Sequence, residues 1–573
     1  MNSDKKTSEQ INQKNIRLWP GIIIAIIQWV LWFVIPKFMS GGTAISISVF
    51  GGMLCGLAII VWWAFFSRAA RSERWIAIIL MIVALVVIPF FTHKSIETGL
   101  AGMMFYVYAI PVLSISFVIW AVISRVIPDK LRRLTMVLTI LLASGVWTLV
   151  RSEGITGNAS AELEWRWAKT SEETLINEAE DVSMVIPSST ESDANWPSFR
   201  GANQDGIVHG VSIETDWNTS PPVEMWRRAV GPGCSSFAVR GSLVYTQEQR
   251  GEDEIVSCYN LITGKPVWRH QDKARFWDSH AGAGPRSTPT LSDSLVYTLG
   301  ATGILNVLNA NDGSVVWSRN AATDLKAELP GWGFASSPLV VDDVVIVAIS
   351  GTLIAYDAAS GKQRWSGFDG GETYSSPHLV TIDGIKQVLM MSQVATSSFS
   401  PRDGKILWER PWEGGAIIQP VVITNGDILI SEGYKKGIHR ISVSHNSGDW
   451  NIEEHWMTSK IRPDFNDIAI YKGHIYGFEG LSLTCLDLKD GSRKWKEGRF
   501  GGQILLLADQ GLLLVLTEKG DLVLVEAVPD QFTELAKMPA IEGKTWNHPV
   551  LVDDILLVRN TKEMVAFRLS HPK

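Results

Sequence analysis

The chain has 573 residues, 46% of them hydrophobic and 19% charged, with a formal net charge of −7. That length calls for more than one domain. The charge is unevenly spread: residues 1–150 hold 13 Lys and Arg against 5 Asp and Glu, and residues 151–573 hold 39 against 54. An acidic major part excludes a nucleic-acid binder, which needs a basic footprint.

Five uncharged apolar runs, at about 18–36, 45–66, 75–91, 103–123 and 134–150, predict five membrane-spanning helices. The first is not a cleavable signal peptide, because four more runs follow and no small-residue cleavage site ends it. Flanking charge sets the expected orientation. The tail 1–17 and the loops 67–74 and 124–133 carry 11 Lys and Arg, whereas the two alternate loops carry one each, Lys37 and Lys94. By the positive-inside rule the N-terminus is cytoplasmic, and an odd number of spans places everything after Val150 outside. In a double-membraned bacterium that means an inner-membrane protein with a periplasmic domain. No span carries an ionisable residue at its middle, as a transporter would. The first reading of the region is an anchor in the lipid bilayer; the second is a docking site for a membrane quinone.

Residues 162–181, ELEWRWAKTSEETLINEAED, mix charged and apolar positions at helical spacing and predict a short amphipathic helix, with Trp165 and Trp167 suited to a membrane interface. The polar stretch 187–194 predicts a flexible linker. A segment NWPSFRGANQDG (195–206) then leads into a repetitive region.

In that region one tryptophan recurs behind a glycine turn: ITGKPVW ending at Trp268, NDGSVVW at Trp317, ASGKQRW at Trp365, RDGKILW at Trp408 and KDGSRKW at Trp495. Trp226 and Trp456 sit in weaker copies, and Leu535 replaces the tryptophan in an eighth. A period in the forties with strand-like content marks a propeller blade. Inner segments such as STPTLSDSLVYTL (287–299) and SSPLVVDDVVIVA (336–348) share a polar residue and Pro, an apolar strand, a turn and a second strand. The last unit, 547–569, lacks a tryptophan strand, and VEMWRR (223–228) precedes the first complete unit. The second can complete the first, so the expected fold is an all-β propeller of eight blades, closed without a free edge, behind the helical membrane region. The repeated tryptophans are expected to pack between blades rather than bind ligand. The expected domains are 1–150, a helix and linker over 151–194, and the propeller over 195–573. The four cysteines form no CxxC, no haem-attachment motif and no adjacent pair; they read as small buried apolar residues, with a disulfide as the alternative.

The xGxxxW unit after a strand ending in Asp resembles the pyrroloquinoline-quinone-like propeller repeat. That family includes quinoprotein alcohol and glucose dehydrogenases and a non-catalytic lipoprotein of the outer-membrane assembly machine. The phrases NWPSFRG, EWRWAKTSEE, GKTWNHPVL and LLVRNTKEMVAFRL look like a membrane-anchored bacterial branch of it. The resemblance is specific for fold and weak for activity. The vicinal cysteine pair of the alcohol dehydrogenases is absent.

Residues just before each innermost strand ring the funnel of a propeller. Here these are His280, Arg286, Trp332, Tyr374, Gln419, Asp464, Asn466, Asp467, Arg499, Gln503, Lys544, Trp546, Asn547 and His548, a polar and aromatic set of the kind a small-molecule site requires. A quinone cofactor would need a ring to stack on, supplied by Trp332 or Trp546. It would need cations for its carboxylates, supplied by Arg286, Arg499 and Lys544. Asn466 and Asp467 are the candidate Ca²⁺ ligands, Asp464 or Asp467 the candidate general base, and Asn547 and His548 complete the cofactor set. Two functions follow from this inventory. One is a binding scaffold for proteins or a small ligand. The other is a quinoprotein dehydrogenase passing electrons to membrane quinone.

Overall fold

A computed structural model describes residues 16–38, 42–157, 160–177, 194–367, 370–415, 417–433 and 436–572. The chain divides into two compact units, Met1–Ala168 and Lys169–Lys573. All but Ala194 of the expected linker 187–194 lies outside the described residues.

The first unit is helical. Among the described residues four helices are long and apolar enough to cross a membrane: Ser46–Phe66, Arg71–Phe91, Met104–Val126 and Leu131–Thr148. The first apolar run forms a shorter helix, Trp19–Phe33, followed by a single turn, Ile35–Phe38. Pro36 has no N–H for the carbonyl four residues back and breaks the run there. The helices are pinned by a few polar contacts. The Gln28 side chain donates to the Gly52 carbonyl at 2.8 Å, and buried Glu73 takes Arg132 at 2.8 Å. The chain then turns to strands: Val150–Ile155 pairs antiparallel with Ala161–Trp165. The helix expected over 162–181 is thus corrected. Glu162, Leu163, Glu164 and Trp165 alternate with period two and form a strand. Among the described residues a helix covers Ser171–Asn177, in the second unit, where Thr170 and Glu173 exchange side chain-to-backbone hydrogen bonds, both at 2.9 Å, as a capping box; residues 178–181 lie outside the described residues.

The second unit is an eight-bladed propeller. Seven blades are consecutive antiparallel four-strand meanders over 238–272, 290–320, 339–366, 378–411, 421–458, 469–499 and 502–539. The eighth takes Val550–Val552, Ile555–Arg559 and Glu563–Arg568 from the end of the chain. Its outer strand, Val223–Ala229, comes from ahead of the first blade. The seam is tied by Arg559, fully buried, whose guanidinium donates to the carbonyls of Gln247 (2.9 Å) and Gly231 (3.0 Å) in and beside the first blade.

The repeated tryptophans staple neighbouring blades. The indoles of Trp226, Trp268, Trp317, Trp365, Trp456 and Trp495 donate to the carbonyls of Leu261, Ala310, Ala358, Pro401, Leu488 and Val528 in the next blade, at 2.8–3.1 Å. The turn glycine of the next unit lies flat on the ring: a Cβ at Gly361, where φ is +67°, would come within 2.6 Å of Trp317. The spacing xGxxxW therefore encodes both halves of one contact, the glycine of one blade and the indole of the blade before it. Trp408 departs from this. The fifth blade carries a long hairpin, Ile438–Asn446 with Asp449–Thr458, in place of the glycine turn. Trp408 instead donates to the Gln387 side chain of its own blade at 2.6 Å.

Candidate functional site on the propeller axis

One residue per blade, at the start of each innermost strand, forms a girdle around the axis: Ser236, Thr288, Ser337, Ser376, Gln419, Asp467, Gln503 and His548. Several precede a proline, which holds them extended. Each of the first five backbone N–H groups donates to the girdle side chain of the next blade, at 2.9–3.2 Å: Ser236 to Thr288, Thr288 to Ser337, Ser337 to Ser376, Ser376 to Gln419 and Gln419 to Asp467. The sixth and seventh blades hand on through Asn466 to the Gly502 carbonyl (2.6 Å) and Gln503 to the Trp546 carbonyl (3.0 Å). The Ser236 hydroxyl closes the ring on the His548 carbonyl at 2.6 Å. The girdle side chains are small in the first four blades and large in the last four.

The lead-in segment enters the channel that this girdle surrounds. Trp196 exchanges backbone hydrogen bonds with Val239 of the first blade, and the Pro197 carbonyl accepts from Leu291 of the second. Arg200 donates to the Ile468 carbonyl of the sixth at 3.1 Å. Ile207–Val208 adds a parallel strand to the inner edge of the seventh. Phe199 packs edge-on to His548 with ring centroids 4.8 Å apart. The protein's own chain plugs one side of the channel.

This plug settles the electrostatics of the axis. Arg200 and Asp467, side chains 2% and 4% exposed, lie 3.5 Å apart, and His548 Nε2 lies 3.3 Å from the other Asp467 oxygen. Burial opposes charge on Asp467, but the Arg200 guanidinium, the His548 contact and the Gln419 amide outweigh it and hold the carboxyl below its ordinary range. Burial pushes His548 down despite the aspartate, so its ring is neutral at pH 7.

On the side of the girdle from which the inner strands start, a cavity of about 130 Å³ remains. Of the cofactor and catalytic set read from the sequence, Arg286, Trp332, Asp467, Trp546 and His548 line it, together with Tyr374, Gln419 and Gln503. Lys544, Asn547, Asn466, Asp464 and Arg499 do not. Lys544 lies 4.2 Å from the centre of the Trp546 ring and donates to the His280 carbonyl. Asn547 donates to the carbonyls of Gly233 and Ser235. Arg499 ends the outer strand of the sixth blade, exposed. Asp464 stands in the loop before that blade's inner strand. Sequence reading missed Phe199 and Arg200; their only signal is the short phrase WPSFRG ahead of the first blade.

Do these residues fit a quinone with Ca²⁺? Their donors are committed. Arg286 holds Asp278 and the carbonyls of Gly282 (2.7 Å) and Trp332 (3.3 Å). The Asp467 oxygens face a guanidinium, an imidazole N–H and a backbone N–H, which leaves no carboxylate edge for a cation. Asn466 donates its amide N–H to the Gly502 carbonyl and does not line the cavity. Among the described residues no cluster of three acidic, His or Cys side chains suits a metal. The cavity is also below the ~300 Å³ at which small-molecule sites begin. The site does not fit the cofactor, and Asp467 is not placed to act as a base. The cysteines are all free: Cys258 and Cys485 are buried and Cys234 lines the cavity.

Residues 252–497 match the family model described as outer membrane protein assembly factor BamB. With eight four-stranded blades and the Gly–Trp repeat, this decides the class. The second unit is a PQQ-like β-propeller. Curated relatives are the outer membrane protein assembly factors BamB of Yersinia pestis, 28% identical over 158 residues, and of Shewanella oneidensis, 30% over 155. The matches cover 26% and 25% of this chain and 37% and 36% of those proteins, so the chain spans little more than a third of the curated relatives it matches. Quinohemoprotein alcohol dehydrogenase from Comamonas testosteroni shares the PQQ-like propeller at 12% identity and a TM-score of 0.50, over 66% of this chain and 81% of that one. At that identity the likeness concerns fold alone.

Proposed function

We propose that this protein is a scaffold anchored in the inner membrane, whose PQQ-like propeller binds periplasmic or membrane proteins outside the cytoplasm. The observation that carries this reading is the plugged axis. The chain occupies one side of its own channel with 196–208 and spends Arg286 and Asp467 on internal partners, so what is left for recognition is the outside of the propeller and the side of the channel that the plug leaves open. The match to proteins named as assembly factors supports a role in holding other proteins. The dehydrogenase alternative would need those same side chains free.

Anchoring rests on the four long apolar helices and the shorter Trp19–Phe33, which together give five crossings. The arginine-rich loops 67–74 and 124–133 favour a cytoplasmic N-terminus. The reading is tested by placing a photoreactive amino acid at Val316 or Met457, each about half exposed on an outer strand. Crosslinking is done in intact cells, and the purified full chain is titrated with pyrroloquinoline quinone and Ca²⁺. Defined protein adducts at these positions, reached by a reagent confined outside the cytoplasm, and no saturable quenching of tryptophan fluorescence are expected. Micromolar quinone binding lost in Asp467→Ala would overturn the scaffold.

A further inference from the structure

The plug covers only half of the channel. Three residues past the girdle, each inner strand presents one apolar side chain at an equivalent position of the repeat. In the seventh, eighth, first and second blades these are Leu506, Leu551, Val239 and Leu291, which are 1%, 2%, 0% and 4% exposed. Val239, Leu291 and Leu506 hydrogen-bond to the plug backbone, and Leu551 packs in the cluster that holds Trp196 and Val208. In the third, fourth and fifth blades the same position is Val340, half-buried, Leu379, 37% exposed, and Val422, 36% exposed. They face a cavity of about 600 Å³, bounded on its other side by Pro197, Ser198 and residues 202–205 of the plug.

The backbone tells the same story. Leu339–Val341, His378–Ile382 and Val421–Thr424 are edge strands, paired on one side only. In the seventh blade the equivalent edge is paired with Ile207–Val208. His378, which lines the open cavity, is buried, and its Nδ1 finds no partner among the described residues. Burial lowers its pKa to about 4, with Arg200 adding to the effect. The ring is therefore neutral and suited to a backbone amide rather than an anion. No Lys or Arg lines the cavity, and its one acid, Asp205, already accepts from the Ile207 amide at 3.0 Å. A charged occupant would find no counter-charge there.

We propose that the open half of the channel is a peptide-binding site. It takes an extended, uncharged segment of a partner protein, with small aliphatic side chains at alternate positions, laid along the inner edges of the third to fifth blades. The protein's own plug is the precedent: extended chain on the same repeat position, bound through its backbone. This is strand addition with apolar pockets for alternate residues. The site goes beyond the scaffold reading, because it lies in the channel while the crosslinking positions lie on outer strands. Either can fail alone.

The test uses the full chain in nanodiscs and a fluorescein-labelled acetyl-Thr-Val-Thr-Val-Thr peptide, followed by anisotropy. Saturable binding is expected. Leu379→Lys and Val422→Lys should each weaken it at least tenfold, and Ile262→Lys, at an exposed turn of the first blade, should leave it within twofold. The all-D peptide, which cannot match the edge with the same alternation, should bind at least tenfold more weakly. Amide exchange over 378–382 should slow when the L-peptide is bound, a readout that does not depend on the variants. No saturable binding, equal binding by Leu379→Lys, or equal binding of the D-peptide would each overturn the site.

Discussion

Arg200 Nη1 stands 3.5 Å from Asp467 Oδ1 at the centre of the propeller, an ion pair between a segment ahead of the first blade and the girdle of the sixth. Removing one partner of a buried pair leaves the other charge without compensation, at a cost of about 3–5 kcal/mol. Arg200→Ala should therefore lower the melting temperature of the propeller strongly. Arg200→Ala with Asp467→Asn should recover part of the loss. A double change that merely adds the two single losses would refute the coupling.

The glycine staple predicts a contrast between two turns. Gly361→Ala meets both an unfavourable φ and the Trp317 ring, together about 3 kcal/mol. Gly384→Ala, where φ is +78° and nothing lies within 4 Å of the new Cβ, meets only the first, about 1 kcal/mol. Urea denaturation of the two variants measures the difference.

Tryptophan-to-phenylalanine changes should differ as well. Trp317→Phe leaves the Ala358 carbonyl without its indole donor, a loss of about 1 kcal/mol or more. Trp408→Phe should cost less, because Gln387 Oε1 keeps the Ser398 hydroxyl at 2.6 Å. Equal losses would show that ring packing, and not the hydrogen bond, sets the value of the staple.

Glu254 carries a pH signature. Burial, with a smaller push from Asp272, raises its pKa to about 7, although the Ala301 amide donates to it at 3.0 Å. The folded protein holds this proton more tightly than the unfolded chain, whose carboxyl titrates near the ordinary value of ~4.3. The contribution is fully present below about pH 4 and falls as pH rises toward 7, by roughly 3 kcal/mol in all. Glu254→Gln should flatten the stability profile between pH 4.5 and 7 and leave its shape elsewhere unchanged.

The propeller was legible because its signals are local and repeated: the Gly–Trp spacing, the polar-Pro start of each inner strand, and the unmatched ends at 223–228 and 547–569. The funnel residues were legible as positions but not as chemistry. Asp467 and His548 read as a base and a cofactor ligand because acids and histidines at a funnel usually invite that reading. Their role follows from the girdle, in which the same position is Ser or Thr four blades earlier, and from Arg200, which is 267 residues away in sequence and carries no local signal of contact. The strand at 161–165 was hidden by its mixture of charged and apolar residues, which fits either periodicity over so short a stretch.

The closing strand, Val223–Ala229, waits for partners that end at Arg568. A growing chain that has made seven blades still holds an unpaired edge, and the ring shuts only when residues 550–568 emerge. The lead-in segment and the membrane helices are made long before that moment, so the plug is in place to be enclosed when the circle closes. Loss of Glu563–Arg568 would strand the outermost ribbon of the eighth blade and leave the whole ring ajar, whereas a nick in a loop between middle blades would leave it shut.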